Sequence, residues 1–131
     1  MEMQGALRAR ILADAGVSAL AGTKVTWVTR PQSSTLPAVV LQTISDGRPQ
    51  HLKGFNALRD TRVQIDCWAA TYDASKQLSE AVIAAAVPQN TSNGIIFNRA
   101  MVDAVDDGGE VVGTAFIYRV RVDLIIWWQK E

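Results

Sequence analysis

This chain of 131 residues has little to offer covalent or metal chemistry. It holds one cysteine, Cys67, and one histidine, His51. A single cysteine excludes an internal disulfide, and one Cys with one His cannot complete a structural zinc site. No G-x-x-x-x-G-K or G-x-G-x-x-G run occurs, so the glycine loops that cradle phosphates are missing. Asp103, Asp106, Asp107 and Glu110 lack the spacing of a calcium-binding helix–loop–helix and read as a solvated acidic turn. No cofactor is expected. Long apolar runs are absent too: "AVIAAAV" (81–87) and "LIIWW" (124–128) are too short to cross a membrane. "MEMQGALRAR" carries charges where a signal peptide needs its apolar core. A soluble protein made in the cytosol, with no membrane partner, is therefore expected.

What is present suits one globular domain. Hydrophobic residues make up 48% and charged residues 20%, a balance that opposes disorder. Formal net charge is zero, which gives no support to general nucleic-acid binding. The charge is nevertheless segregated. Residues 1–62 hold eight Lys/Arg against four Asp/Glu, and residues 63–131 hold five against nine. Two unlike faces that meet head to tail are one reading of this, and chance segregation on an intermixed surface is the other.

Met3, Leu7 and Ile11 recur at the interval of one helix face, and Asp14 is placed to cap a second helical piece ended by Gly22. "KVTWVT" (24–29) and "AVVLQTIS" (38–45) read as strands, separated by the loop "RPQSSTLP" (30–37). "DGRPQHLKGFNALRD" (46–60) has no period and reads as a long hairpin arm or flexible loop. "TRVQIDCWA" is a third strand, after which Thr71 caps a helix with Ala74, Leu78, Ala81, Val82 and Ala85 on one side. "GIIFNRAMVDAV" (94–105) alternates imperfectly as a fourth strand, "DDGGEVVGT" (106–114) reads as a turn, and "AFIYRVRVDLIIWWQK" (115–130) as the last strand. The expected fold is α+β in the order α-β-β-β-α-β-β. About five mostly antiparallel strands pack against two main helices in a single domain, 1–131.

Alternation places Cys67 with Val63 and Ile65 on the core face, and Asp66 and Arg62 on the other. A nucleophilic cysteine needs a partly exposed thiolate with an imidazole in reach. A small cysteine hydrolase using Cys67 and His51 is thus a minor alternative, and no catalytic residue is assigned. "RVQIDCW" and "RVRVDLIIWW" repeat one pattern, so Arg62, Gln64 and Asp66 are expected beside Arg119, Arg121 and Asp123. Leu124–Trp128 is apolar on both faces, so either a helix or a neighbouring subunit covers the second face.

The order of "MEMQGALRARILADAGVSALAG", "PAVVLQTISDGR", "RVQIDCWAATYDASKQLSEAV" and "YRVRVDLIIW" resembles the small tail-completion, or tail-terminator, proteins of long-tailed phages and gene transfer agents. The most specific part of the resemblance is the strand-to-helix passage Arg62–Val82. It implies a structural virion protein, assembled in the host cytoplasm, that forms a hexameric ring at the head-proximal end of the tail tube. The ring would stop tube polymerisation and join the tail to a connector or neck protein, with DNA passing through its lumen. Another neck component, such as a head-closure protein, is the structural alternative. Under this resemblance Arg48, His51, Lys53, Phe55 and Arg59 on the arm, with Trp127 and Trp128, are the candidate contacts to neighbouring subunits or partners.

Overall fold

A computed structural model describes residues 2–30, 35–48, 50–51, 54–55 and 57–131, with only the backbone at Gln50, His51, Gly54 and Phe55. Helix α1 (Met3–Leu12) buries Met3, Ala6, Leu7, Arg10 and Ile11 along one side. Helix α2 (Ala15–Ala21) starts where Asp14 accepts a 3.0 Å hydrogen bond from the Val17 N–H, and it ends at Gly22 with φ +61°. Helix α3 (Tyr72–Ala86) starts where Thr71 Oγ1 accepts from the Ala74 N–H at 3.2 Å, with Asp73 in the first turn. Its far end is capped from another helix. The buried Arg10 guanidinium donates to the Ala86 and Pro88 carbonyls and lies 5.1 Å from the Phe97 ring centre.

The stripe that α3 buries differs from the expected one. Ser75, Leu78, Ser79, Val82 and Ala86 are buried, while Ala74, Ala81 and Ala85 are only half-buried. The two serines are tolerated because each hydroxyl donates 2.7 Å to a carbonyl of its own helix, Tyr72 O and Lys76 O.

Eight strands are described: β1 (Val25–Trp27), β2 (Ala38–Gly47), β3 (Gln50–His51), β4 (Gly54–Phe55), β5 (Arg59–Ala69), β6 (Asn90–Ser92), β7 (Ile95–Val112) and β8 (Ala115–Lys130). Six form one sheet in the order β1-β2-β5-β8-β7-β6, and β3 and β4 form a separate pair. The fold is α+β, but the strand count and the element order exceed the five-strand expectation. The sheet is also mixed, because β1 runs parallel to β2. Asn93 and Gly94, both with positive φ, turn β6 into β7 as two-residue hairpins require. The acidic stretch 106–112 is strand rather than turn. Backbone pairing with β8 runs through Asp106↔Arg121 to Val112↔Ala115, and only Gly113 and Thr114 form the turn.

The helices pack on one face of the sheet. Val39, Leu41, Val63, Ile65, Cys67, Val122, Leu124, Ile126 and Trp128 meet Leu7, Ile11, Leu78 and Val82 in a single core. The opposite face carries the charge ladder, and two of its three expected β5 positions stand beside expected partners on β8. Gln64 stands opposite Asp123, Asp66 opposite Arg121, and Trp68 opposite Arg119. Arg62, opposite Ile125, instead reaches Asp103 of β7 at 2.7 Å. Arg121 pairs with Asp106 and Arg30 with Glu110, both at 3.3 Å. Arg30 and Arg119 also lie within 6 Å of the Trp68 ring, at 5.3 and 5.6 Å.

Candidate functional site

Three of the candidate contact residues converge at the root of the 46–60 arm. Arg48 and Arg59 share the partner Asp46, which no sequence motif singles out, and Trp128 reaches it through Thr61. Strand β2 has a bulge at Ile44: Thr43 stands opposite Val63, and Ser45 stands opposite Arg62. One extra residue reverses which side chains face the core. Asp46 therefore lies on the same side as Arg59 and Thr61 of β5, opposite Thr61 itself. Its Oδ2 accepts from Arg59 and, at 3.2 Å, from Arg48. Its Oδ1 accepts from the Thr61 hydroxyl at 3.0 Å. Thr61 Oγ1 in turn accepts from Trp128 Nε1 at 2.8 Å, and the Arg59 guanidinium stacks 4.5 Å from the Trp128 ring centre.

Burial works to raise the Asp46 pKa, but the Thr61 and Arg48 hydrogen bonds and the Arg59 and Arg48 charges outweigh it. The carboxyl sits below its ordinary value and is ionised at neutral pH. The cluster ties β2, β5 and β8 together where the arm leaves the sheet. It is a brace: three donors converge on one carboxylate.

The other candidates part company. Trp128 is buried in the core, whereas Trp127 is half-exposed on the opposite face with Arg99 5.5 Å from its ring centre. The apolar doublet is thus divided between a core anchor and a residue on the ladder face. His51 and Phe55 occupy the small β3–β4 pair, where His51 is opposite Gly54 and Gln50 opposite Phe55. Lys53 lies outside the described residues.

The surroundings of Cys67 oppose nucleophilic chemistry. The side chain is fully buried, and burial, with a smaller contribution from Asp66, drives its thiol far above the ordinary range. A thiol held neutral in the core is a small hydrophobe. Among the described residues no group of three or more His, Cys, Asp or Glu is arranged to hold a metal ion. An open depression of about 510 Å³ lies between Ala9, Ala13, Ala84, Ala85 and strand β6. Its charged groups, Arg10 and Asp14, are already spent on helix termini. No helix among the described residues is long and apolar enough to cross a membrane.

The longest strands among the described residues form the β7–β8 hairpin. Strand β6 covers only Ile95–Phe97 of the 18-residue β7. From Arg99 to Val112 no described strand pairs with the outer side of β7, an open rim of roughly 45 Å at the usual rise per residue. Val111, Val112 and Phe116 near its tip are 70%, 50% and 48% exposed. Asp103, Asp106, Asp107 and Glu110 lie along this outermost strand. The arginines that pair with three of them come from β5, β8 and residue 30, farther in. Among the described residues Asp107 accepts from the Tyr72 hydroxyl, at 3.2 Å, and from no arginine.

A polar brace, a buried thiol and a long open strand rim are the chain's main features. A family model described as "Tail completion protein gp17" matches residues 5–128. A chain of the virion of a native gene transfer agent particle is 20% identical, with 97% of this chain and 94% of that one aligned at a TM-score of 0.73. That likeness shows a shared fold. A second solved structure is 14% identical, aligned over 96% of each chain at a TM-score of 0.45. No curated protein matches the chain.

Proposed function

The chain belongs to the tail completion protein gp17 family, and from that membership we propose that it forms a ring at the head-proximal end of a virion tail tube. In this reading the ring, a hexamer, stops tube polymerisation and presents a surface to a connector or neck protein. DNA passes through its lumen without sequence-specific contacts. The protein is a structural part of the virion, assembled in the host cytoplasm, and catalyses nothing.

The observation that carries the reading is the family match over residues 5–128. The physical character of the chain supports it. Its one thiol is buried, its best-connected polar cluster is a brace, and its unsatisfied surface is a strand rim suited to protein contacts. The arm residues Arg48, His51, Lys53 and Phe55 are proposed to contact a neighbouring ring or subunit. Arg59 and Trp128 would hold the root of that arm, and Trp127 would meet a neighbour on the open face.

Sedimentation velocity and negative-stain imaging of the protein, alone and with purified tail tubes, test the reading. Six-fold rings capping one end of the tubes are expected. A chain that stays monomeric and leaves the tubes bare would overturn it, and binding to connector-bearing heads in place of tubes would favour a head-closure role.

A further inference from the structure

We propose that the open rim of β7 is a self-association surface, and that it takes the opposite rim of the same sheet from a second copy of this chain. The inference deepens the ring reading and rests on it. The sheet has two rims, and the described strands cover both incompletely. On one side β6 leaves Arg99–Val112 of β7 without a described partner. On the other, β1 pairs only with Val39–Leu41, which leaves Gln42–Gly47 of β2 without one. Half the backbone N–H and C=O groups along such rims point outward, and pairing them with another strand removes an aggregation hazard.

Charge selects the combination. The β7 rim carries four carboxylates against one outer arginine, Arg99. Three of the four already pair with Arg62, Arg121 and Arg30, which leaves Asp107 as the carboxylate for which no arginine partner is described. The β2 rim ends in Arg48, which donates to Asp46 yet keeps its side chain 61% exposed, and residues 46–59 hold three Lys/Arg against that single carboxylate. Two β7 rims would set acid against acid, whereas β7 against β2 sets acid against base. Apolar side chains also meet: Ile44, 48% exposed at the β2 bulge, faces a rim bearing Val105, Val111 and Val112. Because the two rims differ, the contact is head-to-tail, and repetition gives a ring if the rotation closes.

Charge exchange in the full chain tests this. Asp107→Lys and Arg48→Glu each weaken self-association by about tenfold or more, read by sedimentation velocity. The double variant Arg48→Glu/Asp107→Lys recovers it, and so does an equimolar mixture of the two single variants. Circular dichroism of each variant confirms folding, and the gain on recombination cannot come from misfolding. Hydrogen exchange on the wild-type assembly then distinguishes strand addition from contact between side chains. Amides within 99–112 and 42–47 slow on assembly if strands pair. Wild-type rings that persist in both single variants, or whose rim amides exchange as in the monomer, overturn this surface and leave the ring standing. A wild type that never associates, even on tail tubes, overturns both.

Discussion

The indole Nε1 of Trp128 donates a 2.8 Å hydrogen bond to Thr61 Oγ1, and both side chains are buried on neighbouring strands. The bond fixes one of the largest core side chains and turns the Thr61 hydroxyl proton toward Asp46. A polar indole edge in the core is thereby satisfied, and the charged root of the arm is connected to the hydrophobic interior.

Trp128→Phe removes that donor and some volume. A loss of about 1–3 kcal/mol is expected from one hydrogen bond and a small cavity. Trp127→Phe, on the half-exposed face, is expected to cost less than about 1 kcal/mol. Urea unfolding followed by far-ultraviolet circular dichroism separates the two, since fluorescence would change with the tryptophans themselves.

Asp46 and Asp66 are expected to give opposite pH dependences. Asp46 has a lowered folded pKa, so its stabilisation is present above the unfolded value and is lost as pH falls through the folded one. Burial raises Asp66 above its ordinary 3.8, and Asp123 adds to the rise. The Gln64 hydrogen bond and the Arg119 and Arg121 charges counter it only in part. Those two arginines are drawn aside, Arg121 to Asp106 and Arg119 to the Trp68 ring. For Asp66 the unfolded chain loses its proton first, so stability falls as pH rises through the window from the unfolded to the folded value. Asp46→Asn should therefore cost about 1–2 kcal/mol at pH near 7 and nothing at the acid end. Asp66→Asn should be neutral or stabilising near pH 7, with its advantage vanishing in acid. Urea midpoints of both variants between roughly pH 3 and pH 7 check the signs.

Cys67 should be inert to thiol reagents in the folded protein and react at the ordinary rate in denaturant. Cys67→Ala should cost about 1 kcal/mol or a little more, and Cys67→Ser about 1–3 kcal/mol through a buried hydroxyl. Labelling kinetics with a chromogenic disulfide provide the measurement. Rapid native labelling would contradict the buried, neutral thiol.

Features set by near neighbours in the chain are legible in the sequence. The Met3–Leu7–Ile11 stripe, the Asp14 and Thr71 caps and the core placement of Cys67 depend on residues a few positions apart. The Asp46–Thr61–Trp128 connection depends on pairing across three strands and on the bulge at Ile44, which no composition marks. The same limit explains the imperfect alternation of 94–105. Asn98 and Asp103 each stand without a partner on β8, so the core-facing positions change from odd to even and back. Glycines 108 and 109 give the appearance of a turn for a different reason. A Cβ at Gly108 would come within 2.4 Å of Arg119 Nη2, and one at Gly109 within 2.5 Å of the Ile117 carbonyl. They are close-approach glycines inside a strand.

Those two unpartnered residues, Asn98 and Asp103, divide β7 into three blocks, Ile95–Phe97, 99–102 and 104–112, each locked to its own stretch of β8. The strand is indexed like a ruler with two blank marks. Removing one residue at a blank leaves every block against its original partner, whereas removing one inside a block slides everything beyond it onto the wrong side of the sheet. A one-residue deletion at Asn98 or Asp103 is therefore expected to leave the spacing of the acidic positions 106, 107 and 110 from the hairpin tip unchanged.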